Sequence, residues 1–378
     1  MSHLIFVINP GSTSTKLALF QDGRELRRAE HEISREVLAA SPQMTDQLPV
    51  RLEQARAALA EWGTAPEALD MIACRAGALH HPGLGAYGVD PFMLDVLAYA
   101  SAGPHASNLA SMIGYALGKP AGVPVMVYDS PYADEFPAIA KVSGLPEVSL
   151  FPGSHVLNSR AMARKWAEDN GRQYDQCSFI VAHLGGGVTV NAQRNGRIVD
   201  GVFDDMGPMS PQRAGRIPAR NLVPICYSGR YTQQELMHRL YHDSGIQAYF
   251  GTADLREVER RMDTGDRQAA LVYEAMAYQV AKAIGELATV LEGRVDCIIL
   301  TGGAAHSRRL TDWITRRVAF LAPVALLPGE REMEALAAGA LRVLNGEEPL
   351  QTYRGLPPGY ESPEELQKTL PARRCWDL

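Results

Sequence analysis

No stretch of this chain approaches the ~20 consecutive apolar residues that a membrane-spanning helix requires, so no helical membrane span is expected. The N-terminus lacks a basic segment ahead of a long apolar core, and residues 4–8 (LIFVI) run into Asn9 and Pro10 too soon for a secretory leader. Basic charge is also in deficit. With 37 Lys and Arg against 43 Asp and Glu, the formal net charge of −6 offers no footprint for nucleic acid. Cysteine is scarce and scattered: Cys74, Cys177, Cys226, Cys297 and Cys375 are odd in number and include no C-x-x-C pair, so neither a disulfide framework nor a zinc site is indicated. These absences point to a cytoplasmic protein with its thiols in a reducing compartment. The 378 residues, 46% hydrophobic and 21% charged, suffice for two domains of ordinary size.

What the chain does contain is organised around residues 179–200, FIVAHLGGGVTVNAQRNGRIVD. An apolar run leads through His183 into three glycines, a β-branched run follows, and Asn195-Gly196 marks a hairpin turn before a third strand. Without Cβ atoms, Gly185, Gly186 and Gly187 are expected to take positive φ and to bring N–H groups close to an anion. Taken alone, such a run marks an ordinary tight turn more often than an anion site. The same layout recurs at the N-terminus: strand 4–9, a hydroxyl-crowded turn 10–15 (PGSTST), strand 16–20 and a hairpin dipeptide Asp22-Gly23. Two such units half a chain apart predict a duplicated domain. A third loop, in DCIILTGGAAHS (296–307), ends an apolar strand at Gly302-Gly303 ahead of a helix. Three turns of this kind can converge on one polyphosphate.

Between these loops the pattern predicts a strand over 25–34, a helix over 46–62 and a buried strand over 68–74 that ends at Arg75. Arg75 is placed to face a crevice or to snorkel at the surface. The Gly-, Pro- and His-rich residues 79–103 are expected to be irregular walls, and residues 104–108 (PHASN) a capped start to a helix over 109–117. Strand 124–129 ends in Asp129, equally a metal ligand or catalytic group and a cap on the next turn. Residues 154–170 form a helix joining two halves. The loop 204–216 carries Arg213 and Arg216, suited to bidentate binding of an oxyanion or simply solvated. Amphipathic helices follow over 233–241 and 255–262. A long helix over 267–291, apolar on more than one face, is expected at a domain or subunit contact. The last core strand, 324–327, precedes a helix over 333–344, and residues 351–378 read as a loosely attached tail.

Nine separated motifs resemble the butyrate kinase branch of the acetate kinase family: VINPGSTSTK (7–16), HASNL (105–109), DEFPAIAKVSGLPE (134–147), VAHLGGGVTV (181–190), GPMSPQRAG (207–215), GTADLREVE (251–259), VYEAMAYQVAK (272–282), IILTGGAAHS (298–307) and PGEREMEALAAGALRVL (328–344). The resemblance spans residues 4–347. It implies an α/β protein of two duplicated domains, each a mixed β-sheet flanked by helices, in the ribonuclease H-like fold of actin-like ATPases, around a nucleotide cleft. Residues 1–153, completed by the helix 333–350, would form the first domain and 154–332 the second. The activity implied is reversible, ATP-dependent and Mg²⁺-dependent phosphorylation of a short-chain carboxylate to an acyl phosphate. A homodimer or higher homo-oligomer and a metabolic link to a phosphotransacylase come with it. Residue by residue, the resemblance places Ser12, Ser14 and Lys16 on a first phosphate loop and His183 with Gly185, Gly186 and Gly187 on a second. It places Arg75 and Arg213 at the substrate carboxylate and the transferred phosphoryl group, and His105 in the active site. Asn9, Asp129 and Glu332 fall on the metal, with Asp129 also among the catalytic positions, and Asp254, Leu255, Arg256, Gly302 and Gly303 on adenosine and its phosphates.

Departures lie beside the arginines. Ala76 stands where the first glycine of RGG is usual, Gln212 and Ala214 replace Glu and Ser, and TGGAAH replaces TGGIAY. They bear on which acid is taken, with an acetate or propionate kinase as the alternative. A catalytically impaired regulatory member of the fold is the rival in another class. A sugar kinase fits less well, because hydroxyl phosphorylation needs a carboxylate base and has no use for two arginines at the acceptor.

Overall fold

The computed structural model describes residues 2–103, 105–150, 152–203 and 205–377. Pro104 and Asp204, which open two of the expected segments, lie outside the described residues. The chain divides into two units, residues 1–134 with 331–378, and residues 135–330.

In the first unit, β1 (Leu4–Pro10) is apolar as far as Ile8 and buried along nearly its whole length, which suits a central strand covered on both faces. It pairs antiparallel with β2 (Ser14–Gln21), which pairs antiparallel with β3 (Arg24–Glu32), and it pairs parallel with β4 (Met71–Arg75). Beyond β4 come β5 (Ala86–Gly88) and β6 (Val125–Tyr128), and the sheet order is Leu350–Thr352, β5, β6, β4, β1, β2, β3. The helices Asn108–Ala121 and Glu332–Leu344 both pack on β1, β4 and β6.

The second unit repeats the plan. Here β7 (Ser178–Leu184), β8 (Val188–Arg194) and β9 (Arg197–Val202) form the antiparallel run, and β10 (Cys297–Gly302) and β11 (Val324–Pro328) continue it in parallel, in the order β11, β10, β7, β8, β9. Even the details match. Both hairpins turn on a pair of positive-φ residues, Asp22-Gly23 and Asn195-Gly196, and in both the register shifts by one residue of the third strand, opposite Leu19/Phe20 and opposite Ala192/Gln193. The duplication expected from sequence is thus visible as one topology used twice.

Three expectations need correction. Residues 79–103 are not irregular throughout: they contain β5 and the helix Pro91–Tyr99, with Met93, Leu94, Val96 and Leu97 in the core. Asp90 caps that helix by accepting from Met93 N at 2.8 Å, and Pro91 presets its first turn; flanking Gly, Pro and His masked the pattern. Residues 351–378 are not a loose tail, because Tyr353, Leu366 and Trp376 are buried in the core of the first unit. The buried Asp95 accepts from Gln367 Nε2 (2.6 Å), Arg374 Nε (2.9 Å) and Trp376 Nε1 (3.1 Å), pinning the segment down. The helix Val156–Asp169 packs on β7 and β10 and belongs wholly to the second unit. Beside these corrections, the long helix Arg267–Val290 buries one apolar face on β7–β9 of its own unit and leaves Leu271 and Tyr278 exposed.

Candidate active site

In the second unit, β7 delivers His183 to the sheet edge at the same level as Thr189 on β8 and Thr301 on β10. Its ring is almost fully buried, at 1% exposure. The Thr301 hydroxyl donates to Gly329 O (3.2 Å), so its oxygen accepts from Asn158 Nδ2 (3.2 Å). The same Asn158 nitrogen lies 3.0 Å from His183 Nδ1, which must then accept. Neutral His183 therefore carries its proton on Nε2, a donor that makes no hydrogen bond among the described residues and lies 3.3 Å from Glu330 Oε1. His155 stacks on His183 with ring centroids 3.8 Å apart and is held by Thr189 Oγ1 at 3.0 Å.

The glycine turn follows directly. None of Gly185, Gly186 and Gly187 has positive φ, contrary to the expectation from sequence. They are glycines because side chains crowd them: a Cβ on Gly187 would lie 2.3 Å from Arg213 Nη1, one on Gly186 2.8 Å from Gln212 Oε1, and one on Gly185 3.1 Å from His183 Nε2. Ser210 ties the partner loop to the turn. Its hydroxyl donates to Gly186 O (2.6 Å) and accepts from Arg213 N (3.0 Å). Gly302 is a different case, with φ of 87° and its Cα against the Leu184 backbone, where a Cβ would meet Leu184 O at 2.4 Å.

A cleft of about 840 Å³ opens here, lined by Gly185, Gly186, Gln212, Asp254, Leu255, Arg256, Gly303, Ser307 and Glu330 among others. Asp254 caps the helix Leu255–Asp263 by accepting from Arg256 N, and it binds the Arg256 guanidinium through both oxygens (2.9 and 2.8 Å). The Arg256 side chain first, and the backbone bond second, push its carboxyl down to about 2. Glu259, also on the cleft wall, accepts from Tyr273 Oη and Ser307 Oγ on one oxygen, each at 2.5 Å, while its Oε2 takes no hydrogen bond from the described residues. Burial, and then the bond to Glu259, raise the Tyr273 phenol well above its usual range.

In the first unit the equivalent level of the sheet carries Asn9 on β1 and Lys16 on β2, paired across the ladder so that their side chains share a face. Arg75 at the end of β4 forms an ion pair with Glu332, the first residue of the helix Glu332–Leu344. Asn9 Nδ2 donates to the same Glu332 oxygen at 2.9 Å. Neither Glu332 Oε1 nor Asn9 Oδ1 takes a hydrogen bond from the described residues. The Ser14 hydroxyl donates to Glu30 (2.7 Å), so its proton is already committed, while Ser12 is exposed in the turn. Asp129, in the left-handed region at φ 48°, is anchored to Gly85 by reciprocal bonds: its Oδ1 accepts from Gly85 N (2.9 Å) and its N–H donates to Gly85 O (3.1 Å). His105 is exposed, and its Nδ1 lies 2.7 Å from Ser107 Oγ and 3.1 Å from Ser107 N.

Known proteins resemble this chain over most of its length. The acetokinase family profile matches residues 125–321. Over 350 residues the chain is 44% identical to the probable butyrate kinase 2 of Caldanaerobacter subterraneus subsp. tengcongensis, covering 92% of this chain and 99% of that one. It is 39% identical over 356 residues to butyrate kinase 2 of Clostridium acetobutylicum, covering 94% and 100%. This chain belongs to the acetokinase family. Among solved structures, the acetate kinase of Porphyromonas gingivalis superposes with a TM-score of 0.74 at 18% identity, over 90% of this chain and 100% of that one, which marks a shared fold.

The acetokinase chain thus gathers Gly185, Gly186, Asp254, Leu255, Arg256 and Gly303 around one cleft, while Gly187 lies beneath Arg213 and Gly302 against Leu184. Asn9, Arg75 and Glu332 come together in the first unit. Arg216, read beside Arg213 as an oxyanion ligand, is turned away: it donates to Met206 O (2.9 Å) and pairs with Glu286 (3.1 Å). Sequence reasoning missed His155, Asn158, Ser210 and Glu259. Ser210 and Glu259 sit inside quoted motifs and could have been found there, whereas His155 and Asn158 belong to a helix start whose partner strand is distant in sequence.

Proposed function

We propose that this chain transfers the γ-phosphoryl group of ATP to the carboxylate of butyrate or a branched relative, reversibly, to give an acyl phosphate and ADP. The observation that carries the reading is the seat of Arg213 and the His183 Nε2–H beside the Gly185–Gly187 turn of the nucleotide-sized cleft. Phosphoryl transfer asks little covalent chemistry of the protein. It asks for donors and cations fixed where charge spreads over the transferred group. Arg213 supplies a guanidinium, and His183, locked in one tautomer, supplies a neutral donor. The acid has a solution pKa of roughly 4 to 5 and is already ionised at neutral pH, so no general base is needed.

In the first unit, Arg75 binds the acid's carboxylate; apart from its Glu332 contact its guanidinium makes no hydrogen bond among the described residues. Mg²⁺ suits the hard oxygens here. Glu332 Oε1 and Asn9 Oδ1 would hold it, with Asp129 as a further acidic group, and it takes few protein oxygens, completing its shell with water and phosphate. Bound there, it would neutralise phosphate charge. Homo-oligomerisation, a cytoplasmic setting and supply of acyl phosphate by a phosphotransacylase belong to the same proposal. The test is an acyl-hydroxamate assay with ATP, Mg²⁺ and a panel of acetate, propionate, butyrate, isobutyrate and a longer acid. Highest kcat/KM on butyrate or isobutyrate is expected, and a preference for acetate would move the chain to the alternative specificity.

A further inference from the structure

The exposed turn between β1 and β2 is built on a buried cation. Arg51, on the helix Leu48–Glu61, has 0% exposure, and its guanidinium spends its donors on that turn: Nη1 donates to Ser14 O (2.9 Å) and Thr15 Oγ1 (3.1 Å), and Nη2 to Gly11 O (2.9 Å) and Ser12 O (3.3 Å). Nε and Nη2 also donate to Gln47 Oε1, at 3.1 and 2.8 Å. Every partner is neutral. No carboxylate pairs with Arg51 among the described residues, although an isolated charge is costly to bury and arginines buried this deeply are normally paired. Desolvation lowers its pKa, yet a guanidinium stays protonated in a protein.

The backbone geometry says what the charge faces. In a trans peptide the C=O of one residue and the N–H of the next point in opposite directions. With the carbonyls of Gly11 and Ser12 drawn inward to Arg51, the N–H groups of Ser12 and Thr13 point outward, and both residues are exposed. Gly11 N–H closes the turn on Ser14 O at 2.8 Å, whereas the N–H groups of Ser12 and Thr13 donate to no acceptor among the described residues. Two adjacent outward amides backed by an uncompensated cation make an anion-receiving concavity.

We infer that Arg51 is a positioning residue for phosphoryl recognition: it holds the Gly11–Ser14 turn with the Ser12 and Thr13 amides turned outward and supplies the positive potential behind them. The identity of the anion as an acyl-phosphate or ATP phosphoryl group rests on the carboxylate-kinase reading; the anion site itself does not.

The direct test is titration of inorganic phosphate into the ¹⁵N-labelled protein while the Ser12 and Thr13 amide resonances are followed, which requires no catalysis. Saturable shifts of both in the wild type are expected. In Arg51→Gln, which removes the charge and the fork, apparent phosphate affinity should fall by about 10- to 100-fold, as for loss of charge-assisted bonds. Arg51→Lys, which keeps the charge alone, should fall between. Kinetically, KM for butyryl phosphate should rise in both variants while ADP affinity, set by the cleft of the second unit, stays within about twofold, the scale of a remote substitution. Wild-type amides unmoved by phosphate would overturn the inference whether or not either variant folds. So would an Arg51→Gln protein that binds phosphate like the wild type, or one that loses ADP and phosphate affinity in parallel. If the wild type binds phosphate through these amides yet makes no acyl phosphate, the anion site stands and the kinase reading fails.

Discussion

The two units present the same strand–turn–strand edge and stiffen it by opposite means. Around Gly185–Gly187 the turn is thin: its glycines leave room for Arg213, Gln212 and His183 to lie against the backbone, and a Ser210 hydroxyl locks the partner loop in place. Around Gly11–Ser14 the turn carries hydroxyl side chains, a Cβ on Gly11 would meet nothing closer than Ser14 O at 3.7 Å, and rigidity comes from below through Arg51. One turn is shaped for what lies over it, the other by what lies under it. Duplicated topology therefore fixes where a loop stands, while the side chains that reach it fix what it can bind.

Removing Arg213 should have the largest effect on this contrast. Arg213→Ala is expected to lower kcat by ~10³-fold or more, as for other arginines at a transferring phosphoryl group, with ATP still bound by the cleft, measured by calorimetry. Near wild-type turnover would remove Arg213 from the chemistry. Next come the glycines. Gly187→Ala puts a methyl 2.3 Å from the guanidinium and should cost about 10²-fold in kcat through misplacement of Arg213. Gly11→Ala, with non-positive φ and open space, should leave kinetics within about twofold. Equal losses from the two would dissolve the comparison.

A third substitution separates the units by stability. Leu366, fully buried in the first unit's core, should cost ~2–5 kcal/mol on truncation to Ala in urea unfolding, with nucleotide binding in the second unit unchanged under native conditions. A shift below about 0.5 kcal/mol, the range of surface positions, would restore the picture of a loose tail. The smallest effect concerns pH. Asp254 is depressed from 3.8 to about 2, so its capping contribution is present above the unfolded value and lost only as pH falls through about 2. ATP affinity should therefore show no step near pH 4 that Asp254→Asn abolishes, and finding such a step would contradict the Asp254–Arg256 pairing.

Much of this was legible in the residues. The hairpin dipeptides, the apolar runs of β1 and β7 and the capped helices follow from local chemistry, and the motif series pointed to the correct family. What local reasoning could not reach was partnership across the chain. Arg51 looks like any helical arginine until the helix is laid under a turn forty residues away in sequence. Asp95 and Trp376 are 281 residues apart, so the C-terminal segment had no periodic signal of its own. The glycine triplet was singled out for a reason the structure does not bear out: freedom of φ is a property of the residue, whereas the crowding that demands glycine belongs to Arg213, Gln212 and His183. Arg216 shows the converse, a promising residue claimed by Glu286 on the long helix.

The central claim, that this chain moves a phosphoryl group between a short-chain carboxylate and a nucleotide, is tested most directly in the ATP-forming direction. Butyryl phosphate, ADP and Mg²⁺ are mixed with the wild type and with Arg213→Ala, and ATP is measured by luciferase coupling. Rapid ATP formation by the wild type and a loss of ~10³-fold or more in the variant are expected. A folded wild-type protein that binds ADP yet forms no ATP from butyryl, propionyl or acetyl phosphate would contradict the account.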